Sequence, residues 1–284
     1  KQTSDTNKEN FAIELFTRLV SQFPNEVNTH ILGGDLYLSL SKNTEAERHY
    51  LKAIELGEVN FEVWQNLLYL QIQREAFDAV IDNSEKALEY YPNQSMLYYF
   101  NGTAHLRQKR YKAASASLEQ GKKLAASNPG MTSELNAMLG EAYNGTREYE
   151  KSDKAFDEAL SFNPNNAIVL NNYSYYLALR KASLDKAEKM ATLLIKNNPD
   201  NATFLDTYAW VLYTREKYRE ARKIMERAIA TGNANATHIE HYGDILFKLN
   251  EVDLAVEQWE KAKGMLNASN ENLNKKIANR KIYE

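Results

Sequence analysis

The sequence has no cysteine among its 284 residues, which excludes thiol catalysis, thiolate metal sites and disulfides together. That absence fits either redox compartment and locates nothing. Long apolar runs are missing too: none approaches the ~18–20 residues a membrane-spanning helix needs. Charge of one sign is also lacking, with 35 Lys and Arg against 38 Asp and Glu and a net charge of −3. A nucleic-acid binder usually carries a basic footprint, and this balance argues against one. The eleven glycines are dispersed, so no Gly-rich phosphate cradle forms, and no G-x-S-x-G nucleophile elbow occurs. Residue 1 is Lys, and no secretory apolar segment follows it. What remains is an ordinary globular composition, 43% apolar and 26% charged.

Proline is scarce, and its five positions are informative. Pro24, Pro92, Pro129, Pro164 and Pro199 are separated by 68, 37, 35 and 35 residues, and 68 is twice 34. Each sits in a short polar cluster such as Asn163-Pro164-Asn165 or Asn198-Pro199-Asp200. Proline commonly follows a helix C-cap, and a nearby Asn, Asp or Ser can accept the orphan N–H groups of the next helix. All five are therefore read as marks between one helix and the next.

Between those marks the chain repeats. Frames starting at Val27, Phe61, Ser95, Ser133, Ala167, Ala202 and Ala236 have lengths of 34, 34, 38, 34, 35, 34 and 34 residues. One column reads Gly34, Leu68, Gly102, Gly140, Ser174, Ala209, Gly243. A second reads Ala46, Val80, Ala114, Ser152, Ala187, Ala221, Ala255, and a third Ala53, Ala87, Gly121, Ala159, Leu194, Ala228, Ala262. Small residues at fixed places let two helix backbones approach closely. Apolar spacings of three and four within each half predict amphipathic helices, split by breaks such as Thr146-Arg147-Glu148 and Arg215-Glu216-Lys217. Ser183 reads as a one-residue insertion, and the third frame carries about four extra residues.

The runs Leu139-Gly140-x2-Tyr143…Tyr149…Phe156-x2-Ala159…Pro164, Tyr208-Ala209-x2-Leu212…Tyr218-x2-Ala221…Ala228 and Tyr242-Gly243-x2-Leu246…Ala255…Trp259-x2-Ala262 resemble the tetratricopeptide repeat (TPR) signature. The resemblance covers residues 27–269 and implies an all-α, right-handed α-solenoid, a superhelix of antiparallel helical hairpins. About seven units are expected, at 27–60, 61–94, 95–132, 133–166, 167–201, 202–235 and 236–269. Residues 1–26 read as the second helix of a preceding, truncated repeat, which suggests a piece of a longer array. Residues 270–284 read as a capping helix with Leu273, Ile277 and Ile282 inward and Lys275, Lys276, Arg280 and Lys281 outward. A stack of repeats needs such a cap because its last unit has no neighbour.

The resemblance further implies a concave wall made by the first helices, and hence a protein or peptide partner. The groove residues expected from the columns outside the core are Asp35, Glu62, Tyr69, Tyr99, Glu141, Asn171, Tyr175, Asp206, Trp210, Tyr213, Glu240, Asp244 and Phe247. Acidic side chains outnumber basic ones there, so the expected ligand is a polypeptide segment with basic and apolar side chains. The Lys and Arg clamp with which chaperone-adaptor members of the family hold a C-terminal carboxylate cannot be assembled from these columns.

No catalytic constellation emerges, and the chain reads as a non-catalytic scaffold without cofactor. His238, Glu240, His241 and Asp244 form the one cluster with metal-like spacing, but no ligand from a second helix completes it. Pentatricopeptide arrays of similar period read RNA, yet they need a basic groove, so no nucleic-acid partner is expected. The Asn-, Lys- and Tyr-rich usage is similar to that of bacterial TPR proteins, many of exported or lipoprotein type. This implies a bacterial multiprotein assembly, with the cell envelope favoured over the cytoplasm. The alternative is a regulatory or substrate-recruiting TPR arm of a longer enzyme whose catalytic domain lies upstream. Self-association through the N-terminal edge is a further expectation.

Overall fold

Backbone capping sets where each helix starts and stops. The computed structural model describes residues 2–266 and 268–283; Lys1, Asn267 and Glu284, which fall in the expected N-terminal, seventh and capping segments, lie outside the described residues. Sixteen helices and no strand occur among the described residues. They are α1 (Gln2–Gln22), α2 (Val27–Ser39), α3 (Asn43–Leu56), α4 (Phe61–Gln73), α5 (Phe77–Tyr90), α6 (Ser95–Arg107), α7 (Tyr111–Leu124) and α8 (Pro129–Gly145). There follow α9 (Tyr149–Phe162), α10 (Ala167–Leu179), α11 (Leu184–Asn197), α12 (Ala202–Thr214), α13 (Tyr218–Ala230), α14 (Ala236–Lys248), α15 (Val252–Gly264) and α16 (Glu271–Asn279). Asparagine opens many of them. The side chains of Asn60, Asn128, Asn166, Asn201, Asn235 and Asn270 each accept an N–H from the first turn of the following helix.

The turn inside each hairpin is equally regular. Ser41, Glu75, Lys109, Arg147, Lys181, Glu216 and Asn250 all take left-handed backbone angles, with φ between 54° and 65°, and none is glycine. Each lies two residues past its helix. In every case the next residue's N–H returns to the third-last helical carbonyl, as in Lys42 to Tyr37 (2.8 Å) and Glu251 to Leu246 (3.0 Å). This is the Schellman closure, which turns the chain back on itself. The insertion at Ser183 adds a second left-handed residue, φ 45°, to one of these turns.

One proline departs from the expected role. Pro24, Pro92, Pro164 and Pro199 sit in the turns between helices, whereas Pro129 is the first residue of α8. Its missing N–H is one that a helix start leaves unbonded anyway, and Asn128 ahead of it caps Met131 at 3.1 Å. The four extra residues thus become one added turn of α8, which has 17 residues where the other first helices have 13.

The chain divides into two compact units, residues 1–152 and 153–284. In the first, α2 packs on α3, α4 on α5 and α6 on α7, and first helices also meet across hairpins, α4 with α6 and α6 with α8. Its core gathers Tyr50, Trp64, Leu67, Leu68 and Leu97, all at 2% exposure or less. In the second, α10 packs on α11, α12 on α13 and α14 on α15, with α10, α12 and α14 side by side and α16 closing against α15. Leu205, Leu212 and Met225 fill one part of its core; Leu246, Trp259 and Leu273 fill another.

The small-residue columns are buried where helices cross. Ala46, Val80, Ala114, Ala187, Ala221 and Ala255 are all fully inaccessible. A Cβ at Gly34 would lie 2.3 Å from the Tyr50 ring, and one at Gly243 would lie 2.5 Å from Trp259 and 3.0 Å from the Ala255 carbonyl. Arginine at the helix C-cap ties neighbouring hairpins within each unit: Arg74 reaches Glu47 twice at 2.7 Å, Arg180 reaches Asp153, and Arg215 reaches Asp185.

Candidate functional site

The expected groove residues fall in both units, and the two sets behave differently. In the first unit Asp35 and Glu62 are exposed. Asp35 accepts the Tyr50 hydroxyl at 2.7 Å, and Asn66 donates to the same hydroxyl at 3.2 Å. Burial, with the Asp35 bond adding to it, raises the Tyr50 hydroxyl well above its usual range. Tyr69 is half exposed and accepts from Gln73 at 2.8 Å. Tyr99 and Glu141 are partly buried, and burial raises the pKa of both; Arg107 opposes the rise at Glu141. Tyr69 therefore stands out to solvent, whereas Tyr99 packs edge-on against Phe100, with centroids 5.8 Å apart, at the margin of the core.

The second unit contains a concavity of about 510 Å³. Its walls come from the first helices α10, α12 and α14, from α16, and from residues 282 and 283 beyond it. Tyr175, Trp210 and Tyr213 supply the aromatic wall, and Glu240, His241, Asp244, Lys248 and Lys276 the polar one. The indole of Trp210 stacks on Tyr213, with centroids 4.7 Å apart and planes 13° apart, because residues three apart share a helix face. It also stacks on His241 of α14, at 4.1 Å and 24°.

The three expected groove carboxylates of this unit, Asp206, Glu240 and Asp244, all have partners. Asp206, only 6% exposed, bonds His241 Nδ1 at 2.8 Å. Asp244, 3% exposed, binds the Lys276 ammonium through both oxygens at 2.9 and 2.8 Å and accepts the Trp259 indole N–H at 3.0 Å. Lys276 also reaches Glu240 at 2.7 Å. Lys276 was expected to face solvent; it is instead buried at 4% exposure, as an unpaired carboxylate pair in this position would be costly. The second unit's groove is therefore not a simple acidic surface. Its carboxylates are largely neutralised from within.

The histidines of the sequence cluster serve different partners. His238 is buried and completes the capping box of α14: Asn235 accepts from the His238 N–H while the Asn235 N–H donates to His238 Nδ1, both at 3.2 Å. Burial lowers its pKa. His241 is also buried. Burial alone would lower its pKa, but the Asp206 charge and hydrogen bond outweigh that and raise it. At Asp244 burial raises the pKa while Lys276 opposes the rise. No group of three or more potential metal ligands converges among the described residues.

Of the remaining expected residues, Asn171 is held by Thr207, which donates to its Oδ1 at 2.8 Å. Tyr175 is partly buried, with its pKa raised by burial and by Asp206. Phe247 tilts against Trp259 with centroids 6.0 Å apart, which makes it part of the core rim rather than an aromatic of the concavity. Lys276, Asn272, Ile282 and Tyr283 line the concavity without having been expected there. For Lys276 a signal was present: it lies three residues after Leu273, inside the inward stripe of its helix.

Residues 208–263 match the tetratricopeptide repeat family, and so do residues 133–166. The chain carries tetratricopeptide repeats. As a TPR chain it shares its fold with a tetratricopeptide repeat protein from Parabacteroides merdae, at a TM-score of 0.70 and 16% identity over 89% of this chain and 98% of that one. A chain of the APC/C hetero-tetramer Cut9–Hcn1 superposes at 0.63, with 11% identity over 90% of this chain and 50% of the other. MamA from Desulfovibrio magneticus RS-1 gives 0.51, at 17% identity over 60% of this chain and 94% of its own. At these identities the likeness is one of fold. In sequence, 89 residues of the TPR chain are 32% identical to human protein O-mannosyl-transferase TMTC3, a stretch that spans 31% of this chain and about a tenth of the human protein. TPR repeats of this kind form protein-interaction scaffolds, and no described helix is long and apolar enough to cross a membrane.

Proposed function

We propose that this TPR chain is a non-catalytic scaffold that holds a polypeptide segment in the concavity of its second unit, as part of a larger assembly. The observation that carries this reading is the shelf of Tyr175, Trp210 and Tyr213 over a floor of internally paired charges. Rigid aromatic side chains give large contact area at low entropy cost, which is what an interface anchor needs. A floor whose carboxylates are already paired favours apolar side chains of the ligand, with basic ones reaching the exposed Glu216 at the rim. The Cut9–Hcn1 chain, which belongs to a hetero-tetramer, is consistent with an assembly role. A bacterial cell-envelope setting remains part of the proposal, on the strength of residue usage.

The test is selection from a displayed peptide library against the chain and against a Tyr175→Ala/Trp210→Ala variant with unchanged helical spectrum and melting. Peptides selected by the parent should lose at least tenfold in affinity on the variant. If the same peptides bind both equally, the concavity is not the binding surface, and the N-terminal edge, with Phe11 and Leu15 exposed on α1, becomes the place to look. A second reading, a recruiting arm of a longer enzyme, is favoured by the transferase match, in which the alignment occupies about a tenth of the enzyme. Reading the coding sequence on both sides of this segment decides between them.

A further inference from the structure

The segment after α16 already lies on the aromatic concavity. Arg280 takes left-handed angles, φ 53° and ψ 40°, and the Lys281 N–H returns to the Lys276 carbonyl at 3.2 Å. That turn reverses the chain, so Ile282 and Tyr283 come back to line the same cavity as Trp210 and Tyr213. Ile282 also packs against the cluster around Ile239, Leu246 and Trp259, and the Lys281 ammonium sits 5.2 Å from the Tyr283 ring centre. The buried Lys276 fixes the base of this arrangement through Glu240 and Asp244, so the segment starts from a rigid anchor. An aliphatic side chain followed by an aromatic one is the chemistry that an aromatic shelf over neutralised charges accepts.

We infer that the concavity takes an aliphatic–aromatic pair from an extended peptide, that residues 281–283 supply this pair from within the chain, and that an outside peptide must displace them. The inference rests on the concavity being a polypeptide site. A tethered segment acts at an effective concentration of about millimolar. If the segment's own dissociation constant is ~100 µM, it lowers the apparent affinity of any competing peptide about tenfold.

The probe is a synthetic peptide with the sequence of residues 278–284, titrated by calorimetry into the full chain and into two variants, Tyr283→Ala and Ile282→Ala/Tyr283→Ala. A control peptide carries alanine at both positions. Tyr283→Ala leaves Ile282 in its packing, so it guards against a double variant that loosens the fold. The expected result is about tenfold tighter binding of the probe to both variants than to the parent. Binding should be lost with the control peptide and lost again when Trp210→Ala is added. Equal binding to parent and variants overturns the displacement and leaves the concavity as a peptide site. Failure of the probe on every form, while library-selected peptides still bind there, overturns the ligand class alone. If neither the probe nor any selected peptide binds, both this inference and the proposed function fall.

Discussion

The two units are built from the same hairpin code and hold opposite kinds of polar interior. The first buries a histidine pair: His30 and His49 face each other through their Nδ1 atoms at 3.0 Å, with the Phe16 and Tyr37 rings against His49. Its buried carboxylate Glu47 is answered by Arg74 from the partly exposed edge. The second buries Asp206, His241, Asp244 and Lys276 beside a cavity. Repetition of small and large residues therefore dictates where helices cross, and leaves the remaining inward positions to differ. It is at those positions that the second unit acquires its concavity.

The largest effect that sharpens the contrast is removal of the buried ammonium. Lys276→Met leaves Asp244 and Glu240 facing each other unpaired and should cost about 3–5 kcal/mol, confined to the second unit. Hydrogen exchange should show lost protection in α14, α15 and α16 with α2 to α7 unchanged. Protection lost equally in both units would mean that they unfold as one, and the contrast would carry no energetic meaning.

The hairpin code should respond alike in both units. Gly34→Ala in the first and Gly243→Ala in the second should each cost about 1–3 kcal/mol by overpacking. The second should be costlier, since its new methyl meets a backbone carbonyl as well as a ring. Calorimetric melting of the two variants checks this, and melting like the parent's would show the close approach to be illusory.

The pH response should differ in sign. Burial, with Arg48 and His30 adding, lowers the His49 pKa from 6.5 to about 4. Its neutral form therefore stabilises the first unit above pH 6.5, and that contribution is lost as pH falls through about 4. His105, also lowered by burial, acts in the same sense. His241 is raised, so its protonated form stabilises the second unit below pH 6.5, and that contribution is lost as pH rises through its folded value. His238 opposes it and weakens the net response. Ring titrations by NMR should place His49 near 4 and His241 above 6.5; the reverse order would remove the electrostatic contrast.

The smallest effect lies in the turns. Glu75→Gly should stabilise the first unit by about 0.5–1 kcal/mol, because glycine adopts left-handed angles without the Cβ clash. Asn250→Gly in the second should gain less, since asparagine tolerates those angles better than glutamate does. Denaturant midpoints measure both.

What the sequence made legible follows from the range of each interaction. Hairpins, columns and turns are set by residues within one period, so spacing alone reveals them. Pro129 was misread because Asn-Pro-Gly resembles the other clusters; the difference is that its capping Asn precedes the proline, whereas Asn166 and Asn201 follow theirs by two. The site was only half legible. Tyr175, Trp210 and Tyr213 came from the columns, but Lys276 meets Glu240 across 36 residues and His241 meets Asp206 across 35. A charge on a helix looks the same in sequence whether its partner is water or another helix.

The placement of tryptophan makes the molecule its own fluorimeter. Trp64 and Trp259 are sealed in the two cores, at 2% and 0% exposure, where an arriving ligand does not touch them. Trp210 alone among the three stands on the concavity, stacked between a phenol and an imidazole. An imidazolium quenches indole emission more strongly than a neutral ring does. Light from Trp210 therefore carries two signals at once, the proton on His241 and the occupant of the cavity, and a Trp210→Phe chain supplies the blank for both.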